Sequence, residues 1–346
     1  MEINRKALFN ERGDVELTKR KMINGNTTNL NDFNNIKYTW VSDMYRTMMN
    51  NFWIPEEINM NQDIKDYRNL DFHEKKAYDK ILSFLIFLDS IQTANLPNIS
   101  DYTTANEVNL ILTIQAYQEA IHSQSYSYIL DTIASPEERT EILYQWRDDE
   151  HLLNRNKFIG NIYNDFVENH TKETYMKTVM GNYILEGIYF YSGFMFFYNL
   201  GRMGKMPGTV QEIRYINRDE NTHLWLFRNI IQELKKEEVE LFTEERINEY
   251  KCMLMEGVRQ EIEWGQYVIG DNIQGITAQM VKDYIEYLGN LRSRSIGFGN
   301  LFDRNIEEPN SMKWVSEYSN PNEIKTDFFE GKVSAYSKSS VFEDDL

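Results

Sequence analysis

The sequence of 346 residues has almost no cysteine, since Cys252 is the only one. A single cysteine excludes an internal disulfide and a zinc cluster built from thiolates, and it fits the reducing cytoplasm, where we expect the protein to be located. Motifs of several other chemistries are also missing. The sequence contains no glycine-rich phosphate loop after a strand, no Gly-x-Ser-x-Gly elbow and no His-Glu-x-x-His.

Positive charge and long apolar runs are scarce as well. The chain has 37 Lys and Arg against 54 Asp and Glu, a net charge of −17. Nucleic acid and anionic membranes would be repelled by such a surface, so we expect neither as a partner. The one candidate for a membrane span, residues 183–200, contains Glu186 and has aromatic residues throughout, so it is predicted to be a buried helix. The N-terminus lacks the apolar core of a signal peptide.

Apolar residues recur at helical spacing over most of the chain, and no alternating pattern predicts a strand. Helices are expected at residues 38–51, 71–96, 105–133, 135–168, 172–202, 209–235, 243–270 and 277–294. Asp71 with Glu74, and Ser135 with Glu138, form the capping-box pattern that opens two of these helices, and Pro97 is expected to end the helix before it. The sequence therefore predicts an all-α protein.

Composition divides the chain into three parts. Residues 1–35 are polar and rich in asparagine, and they predict an irregular arm. Residues 36–305 form the predicted helical domain. From residue 306 to 346 the periodicity is lost, which predicts a flexible tail with Phe342 and Leu346 as apolar positions near its end.

The most informative motif is Glu-x-x-His, which occurs twice, as Glu119 with His122 and as Glu220 with His223. On a helix these two positions are about 60° and one turn apart, so both side chains can bind one ligand. One such pair would be a weak signal, because most are neighbours on a helix surface.

Each pair is preceded by a single carboxylate in an apolar run. Asp89 lies in ILSFLIFLDSIQ and Glu186 lies in YILEGIYFYSGFMFFY. A helix that is apolar all round is buried, and a buried carboxylate must be paired or bind a metal. Two such halves are typical of helical bundles that hold two metal ions. The predicted ligands are Asp89, Glu119, His122, Glu186, Glu220 and His223.

Four carboxylates and two imidazoles suit two iron or manganese ions, with positions left for water or dioxygen. Tyr126 follows His122 by four residues and therefore lies on nearly the same face of the helix. A phenol at this position is well placed to lose an electron and a proton to an oxidised cluster. It would need an apolar pocket to protect the radical.

Two other features are weaker signals. Residues 148–151 have the sequence Asp-Asp-Glu-His, but four consecutive residues spread around a helix, so they are predicted to be a solvated face. Trp53 lies at the end of the first predicted helix, where an aromatic side chain usually serves packing.

Four segments, FLDSIQ, QEAIHSQSY, LEGIYFYSGF and RDENTH, resemble the ligand helices of the radical-generating small subunit of class I ribonucleotide reductase. NNFWIPEE and KTDFFEGKVSAY also resemble that family, so the similarity covers roughly residues 38–346. Two features are specific: aspartate is the first ligand, where related diiron desaturases and hydroxylases have glutamate, and a tyrosine follows the first histidine by four residues.

The resemblance implies a ferritin-like bundle with two iron ions, or manganese instead, activated by dioxygen. It places Asp89, Glu119 and His122 on one ion and Glu186, Glu220 and His223 on the other. Tyr126 would be the radical tyrosine, in a pocket lined by Phe190, Phe194 and Ile216.

The resemblance further implies a homodimer that works with a large catalytic subunit, bound through the C-terminal tail, which reduces ribonucleotides to deoxyribonucleotides. Trp53, Asp219 and Tyr336 match the route by which the radical reaches that subunit. Gln115, GKMPG and YSGF resemble different branches of the family, which leaves the subclass open. The alternatives are a diiron oxidase or hydroxylase of small molecules and a ferritin-like iron-binding protein.

Overall fold

The protein is described by a computed structural model that covers residues 1–304 and 307–319. These residues contain twelve α-helices and no β-strand, which confirms the predicted all-α class. The first six helices are α1 (Trp40–Asn50), α2 (Asn61–Asn69), α3 (Phe72–Tyr102), α4 (Asn106–Ile133), α5 (Pro136–Tyr144) and α6 (Glu150–Glu168). The remaining six are α7 (Lys172–Ile184), α8 (Tyr191–Arg202), α9 (Pro207–Glu237), α10 (Glu244–Val268), α11 (Ala278–Ser295) and α12 (Lys313–Ser319).

Local sequence determines where the helices begin. Asp71 accepts hydrogen bonds from the amides of His73 and Glu74, while the Glu74 carboxylate accepts one from the Asp71 amide. Ser135 and Glu138 form the same reciprocal pair at the start of α5. Both predicted capping boxes are therefore present, and they satisfy amides that have no partner within the helix.

The four helical segments that carry the predicted metal ligands form the centre of the bundle. α3 packs against α4, and α9 packs against α4, α7 and α8. Residues 174–200 are buried almost without interruption, which confirms that residues 183–200 form a buried helix. No helix in the described ranges has the length and apolar character needed to cross a membrane.

Between α7 and α8 the helix widens into a π-helical segment, Leu185–Tyr189, which contains Glu186. A π segment disturbs the regular hydrogen bonds of the helix and often occurs at functional sites. Buried side chains from other helices bond to the backbone here. Arg292 donates to the carbonyl of Gly187, Arg155 donates to the carbonyl of Tyr189, and Glu261 accepts from the amide of Ser192.

Two predicted boundaries are wrong. α3 does not end before Pro97 but continues to Tyr102 with the proline inside it. Proline removes one hydrogen bond from a helix interior. Ile99 and Tyr102 are buried beyond it, and the burial of these apolar side chains offsets the loss.

The helix predicted for residues 135–168 is divided into α5 and α6 by a short 3-10 turn, Gln145–Arg147. Asp149 caps α6 by accepting hydrogen bonds from the amides of His151 and Leu152, and it forms a buried ion pair with Lys80. Asp149 is only 9% exposed, so the prediction that residues 148–151 form a solvated face is wrong for this residue. Asp149 is buried because it pairs with Lys80 on α3, which is distant in sequence.

The N-terminal residues contain no α-helix before Trp40 and only one short 3-10 turn, Leu17–Lys19. They follow the bundle through isolated bridges from Glu2 to Thr171 and from Ile23 to Thr103. The predicted arm is thus irregular, and it is attached to the bundle by backbone contacts.

Candidate metal centre

Three long helices and the π segment bring the six predicted ligands together. Asp89 comes from α3, Glu119 and His122 from α4, and Glu186 from the π segment. Glu220 and His223 come from α9. All six side chains are 0 or 1% exposed.

The donor atoms form two overlapping groups of four. Asp89, Glu119, His122 and Glu220 make up one group, and Glu119, Glu186, Glu220 and His223 make up the other. Within each group the candidate ligand atoms lie within 4.8 Å of one another. Glu119 and Glu220 belong to both groups, which is the position of carboxylates that bridge two ions. The cluster is therefore of the dinuclear type.

The residues fit two cations by an independent criterion. Each of the four carboxylates has at least one buried oxygen with no hydrogen-bond partner, and the Nδ1 atom of His122 also has none. Burying a charged oxygen without a partner costs free energy on the order of several kcal/mol. A divalent cation between the carboxylates would remove this cost.

The electrostatics of the cluster lead to the same conclusion. Burial raises the pKa of Asp89 well above its ordinary value, and the charges of Glu119 and Glu220 raise it further. Burial also raises the pKa of Glu186, followed by the charges of the same two carboxylates. Burial would lower the pKa of His122, but the charge of Glu220 and hydrogen bonds to carboxylates outweigh it and raise that pKa overall. The buried carboxylates thus repel one another, and two cations among them would relieve this repulsion.

His122 is linked to Trp53 through one carboxylate oxygen. The Nε2 atom of His122 donates to Oδ2 of Asp219 at 3.4 Å, and the indole Nε1 of Trp53 donates to the same oxygen at 2.9 Å. The Trp53 and His122 rings stack with centroids 6.3 Å apart. Arg218 donates to the other Asp219 oxygen at 3.3 Å. The structure thus brings three of the predicted residues into one connected group.

The second half of the cluster is surrounded by glutamine side chains that the sequence did not single out for this role. The amides of Gln92 and Gln115 both donate to Oε1 of Glu186. Nε2 of His223 donates to Oε1 of Gln118 at 3.0 Å. Gln92 and Gln115 each lie a whole turn or nearly so from a ligand on the same helix, at i+3 from Asp89 and i−4 from Glu119. That spacing is the signal that would have found them.

Tyr126 is fully buried, and its hydroxyl has no hydrogen-bond partner among the described residues. Burial raises the pKa of Tyr126 well above its ordinary value, and the charge of Asp89 is the next cause. The residues predicted to surround it, Phe190, Phe194 and Ile216, are 0 or 1% exposed, and the two phenylalanine rings are 5.8 Å apart. All three of these side chains are apolar and buried.

Tyr336, Phe342 and Leu346 lie outside the described residues, as does the predicted tail from residue 320 onwards. Residues 307–319 of the predicted tail are described, and they contain α12. Tyr215 is a further aromatic neighbour of Trp53 that the sequence did not single out. Its ring centroid is 5.3 Å from that of Trp53.

Comparison with known proteins adds a separate line of evidence. The family model described as "Ribonucleotide reductase, small chain" matches residues 30–310. The chain is 69% identical to "Ribonucleoside-diphosphate reductase subunit beta" of Treponema pallidum (strain Nichols), covering 99% of this chain and 98% of that one. It is 39% identical to the protein of the same name from Halalkalibacterium halodurans, covering 92% of each.

A solved structure is similar over nearly the same range. The "Ribonucleotide reductase R2 subunit from Clostridium botulinum" superimposes with a TM-score of 0.89 at 53% identity, covering 92% of this chain and 99% of that chain. The matched region includes every helix that contributes to the cluster. The chain therefore belongs to the family of ribonucleotide reductase small chains.

Proposed function

We propose that this small chain holds two iron or manganese ions, uses dioxygen to form a radical on Tyr126, and passes the radical to a large catalytic subunit that reduces ribonucleoside diphosphates. The observation that carries the proposal is the pair of donor groups that share Glu119 and Glu220, one of which contains Asp89, whose charge acts on the buried Tyr126. Family membership favours this function over a small-molecule oxidase or a ferritin-like iron store.

The metal ligands are assigned from the two donor groups. Asp89 and His122 would hold one ion, Glu186 and His223 the other, and Glu119 and Glu220 would contact both. The oxygen-rich donor set suits iron or manganese better than zinc, which more often recruits thiolates. Ions held by these residues would supply, together with dioxygen, the one-electron oxidation that Tyr126 requires.

Tyr126 supplies one electron and one proton when it becomes a radical. Burial and then the charge of Asp89 raise the pKa of Tyr126, so the phenol keeps its proton until it is oxidised. The apolar surroundings of Phe190, Phe194 and Ile216 keep water and reductants from the radical. These residues therefore protect the radical without taking part in its chemistry.

The proposed exit from the cluster is Trp53, held by Asp219, with Tyr336 as a later station in the tail. A buried phenol cannot contact a substrate on another subunit, so the electron has to move between oxidisable side chains. Trp53→Phe and Tyr336→Phe should keep the metal content and the Tyr126 radical but lose nucleotide reduction, measured with the large subunit present. Retained reduction by Tyr336→Phe would remove the tail from the route.

The tail is also the proposed docking element for the large subunit, on a small chain that we propose to be a homodimer. Phe342 and Leu346 would be its apolar anchors. Deleting residues 339–346 should leave the metal content and the radical intact while stopping turnover. Equal turnover by the truncated and full chains would contradict this assignment.

The radical itself is tested by Tyr126→Phe, which removes only a hydroxyl. After addition of Fe(II) and dioxygen, this variant should bind both ions but lack the tyrosyl signal in electron paramagnetic resonance. Tyr175→Phe is the matched control, because Tyr175 is equally buried and its hydroxyl is bonded to Thr103. An undiminished signal in Tyr126→Phe would move the radical to another tyrosine. Metal analysis of the same samples compares loading by iron and by manganese.

A further inference from the structure

Tyr215 lies beside the proposed exit of the radical. Its ring centroid is 5.3 Å from that of Trp53, with the ring planes inclined by 50°. It precedes Asp219 by four residues on α9, so both side chains lie on one face of the helix and both contact Trp53. The indole thus lies between the Asp219 carboxylate, which also bonds to His122, and the phenol of Tyr215.

Exposure increases along this series of side chains. Tyr126 and His122 are 0% exposed and Trp53 is 6% exposed, whereas Tyr215 is half-buried. A radical that leaves the bundle has to pass from fully buried side chains to one that is partly exposed to solvent. Among the ring contacts of Trp53 in the described structure, His122 lies on the inner side and Tyr215 is the more exposed neighbour.

Arg218 holds this arrangement in place. Its guanidinium lies 5.1 Å from the centre of the Tyr215 ring and donates to Asp219 at 3.3 Å. The same group donates to the carbonyl of Asn51 at 2.6 Å, two residues before Trp53. One side chain therefore fixes the phenol, the carboxylate and the loop that carries the indole relative to one another.

The end of the described chain is attached to the same part of α9. Arg214, the residue before Tyr215, donates to the carbonyl of Tyr318 in α12 at 2.8 Å. The part of the predicted tail that contains Tyr336 follows α12 in the sequence, from residue 320. Tyr318, two residues before this segment, is thus bonded to the residue that precedes Tyr215 on α9.

From these contacts we propose that Tyr215 is a relay station between Trp53 and the large subunit, an inference that rests on the proposed function of Trp53. In the forward direction, Tyr215 gives one electron to the oxidised indole of Trp53 and releases its phenolic proton to bulk water. Trp53 is restored and Tyr215 becomes a neutral radical. The Tyr215 radical is then reduced by the next oxidisable group toward the substrate. In the return transfer, the electron and the proton move in the opposite directions.

The alternative role for Tyr215 is packing, as a cover over Trp53. Tyr215→Phe separates the two roles, because phenylalanine keeps the ring but is far harder to oxidise. With the large subunit and a ribonucleoside diphosphate present, this variant should keep wild-type metal content and Tyr126 radical while losing nucleotide reduction to background. The matched control is Tyr144→Phe, since Tyr144 also lies under an arginine, Arg147, that contacts a tryptophan.

A direct test places 3-aminotyrosine, which is easier to oxidise than tyrosine, at position 215. Mixing this chain with the large subunit and a ribonucleoside diphosphate should produce an aminotyrosyl signal in electron paramagnetic resonance, with a matching loss of the Tyr126 signal. Absence of that signal, or wild-type reduction by Tyr215→Phe, would overturn the proposal. A lowered Tyr126 radical yield in Tyr215→Phe would also overturn it, in favour of packing.

Trp53→Phe, measured in parallel, distinguishes this failure from that of the proposed function. If Trp53→Phe loses reduction while Tyr215→Phe retains it, the relay through Tyr215 is wrong and the exit through Trp53 stands. If both variants reduce nucleotides like the wild type, the exit through Trp53 is wrong as well.

Discussion

The two halves of the metal centre contribute similar donors but differ in almost everything around them. Asp89 lies in a regular stretch of α3, whereas Glu186 lies in a π-helical segment. Behind His122 is the carboxylate of Asp219, whereas behind His223 is the amide of Gln118. The donor set is repeated, and its surroundings are not.

This difference suggests a division of labour. The His122 half has the residues that we propose to carry the radical: the charge of Asp89 acts on Tyr126, and Trp53 shares the Asp219 oxygen with His122. The half around Glu186 has neutral amides, which donate hydrogen bonds to a carboxylate but cannot take up a proton at neutral pH. One half would move electrons, and the other would position a ligand.

The largest effect should come from the carboxylates that the two halves share. Glu119→Ala or Glu220→Ala removes a donor from both groups, so one ion should be lost and the other bound weakly, with no tyrosyl signal. Metal analysis after loading measures this directly. The control is Glu233→Ala, also on α9, whose carboxylate pairs with the exposed Lys236. Full occupancy of both positions in either variant would contradict the bridging role.

A smaller and more selective effect should follow from the groups behind the two histidines. Asp219→Asn replaces one acceptor oxygen by an amide donor, so nucleotide reduction per Tyr126 radical should fall sharply while the radical still forms. Gln118→Ala should instead weaken metal binding by about 10- to 100-fold, the usual cost of losing a partner that orients a ligand, with reduction per radical unchanged. Metal titration and turnover normalised to the radical signal separate the two. The same pattern in both variants would contradict the division of labour.

Sequence alone was sufficient for the fold class and for naming six side chains that the structure brings together, because helical spacing and buried carboxylates are local signals. Asp89 and Glu186 stand out since each is a charge in an otherwise apolar run. The burial of Asp149 could not be predicted in this way, because it depends on Lys80 of another helix. The proposed role of Tyr215 could not be predicted for the same reason, because it depends on the ring of Trp53 in a loop distant in sequence.

The π segment was also beyond prediction from sequence. Residues 172–202 have a helical pattern throughout, and the wider turn is stabilised by Arg155, Glu261 and Arg292, which come from α6, α10 and α11. A local pattern contains no information about these partners. The predicted end of α3 before Pro97 was wrong for a similar reason, because burial of the following residues outweighed the local tendency of proline to end a helix.

The smallest expected effect concerns the packing that holds the π segment. A Cβ added at Gly187 would lie 2.8 Å from Cδ1 of Leu224 and 3.3 Å from Nε of Arg292, which donates to the Gly187 carbonyl. Gly187→Ala should therefore destabilise the fold by about 1–3 kcal/mol, the usual cost of overpacking a core, and should lower metal occupancy at the position that Glu186 serves. Urea denaturation of the metal-free protein measures the first effect and metal titration the second.

Gly160→Ala in α6 is the matched control, because its added Cβ would meet only Cδ1 of Ile91, at 3.6 Å. That variant should be more stable by about 0.4–1 kcal/mol, since alanine restricts the unfolded chain. If Gly187→Ala proved as stable as Gly160→Ala and bound both ions normally, the packing around the π segment would not be what holds Glu186 in place.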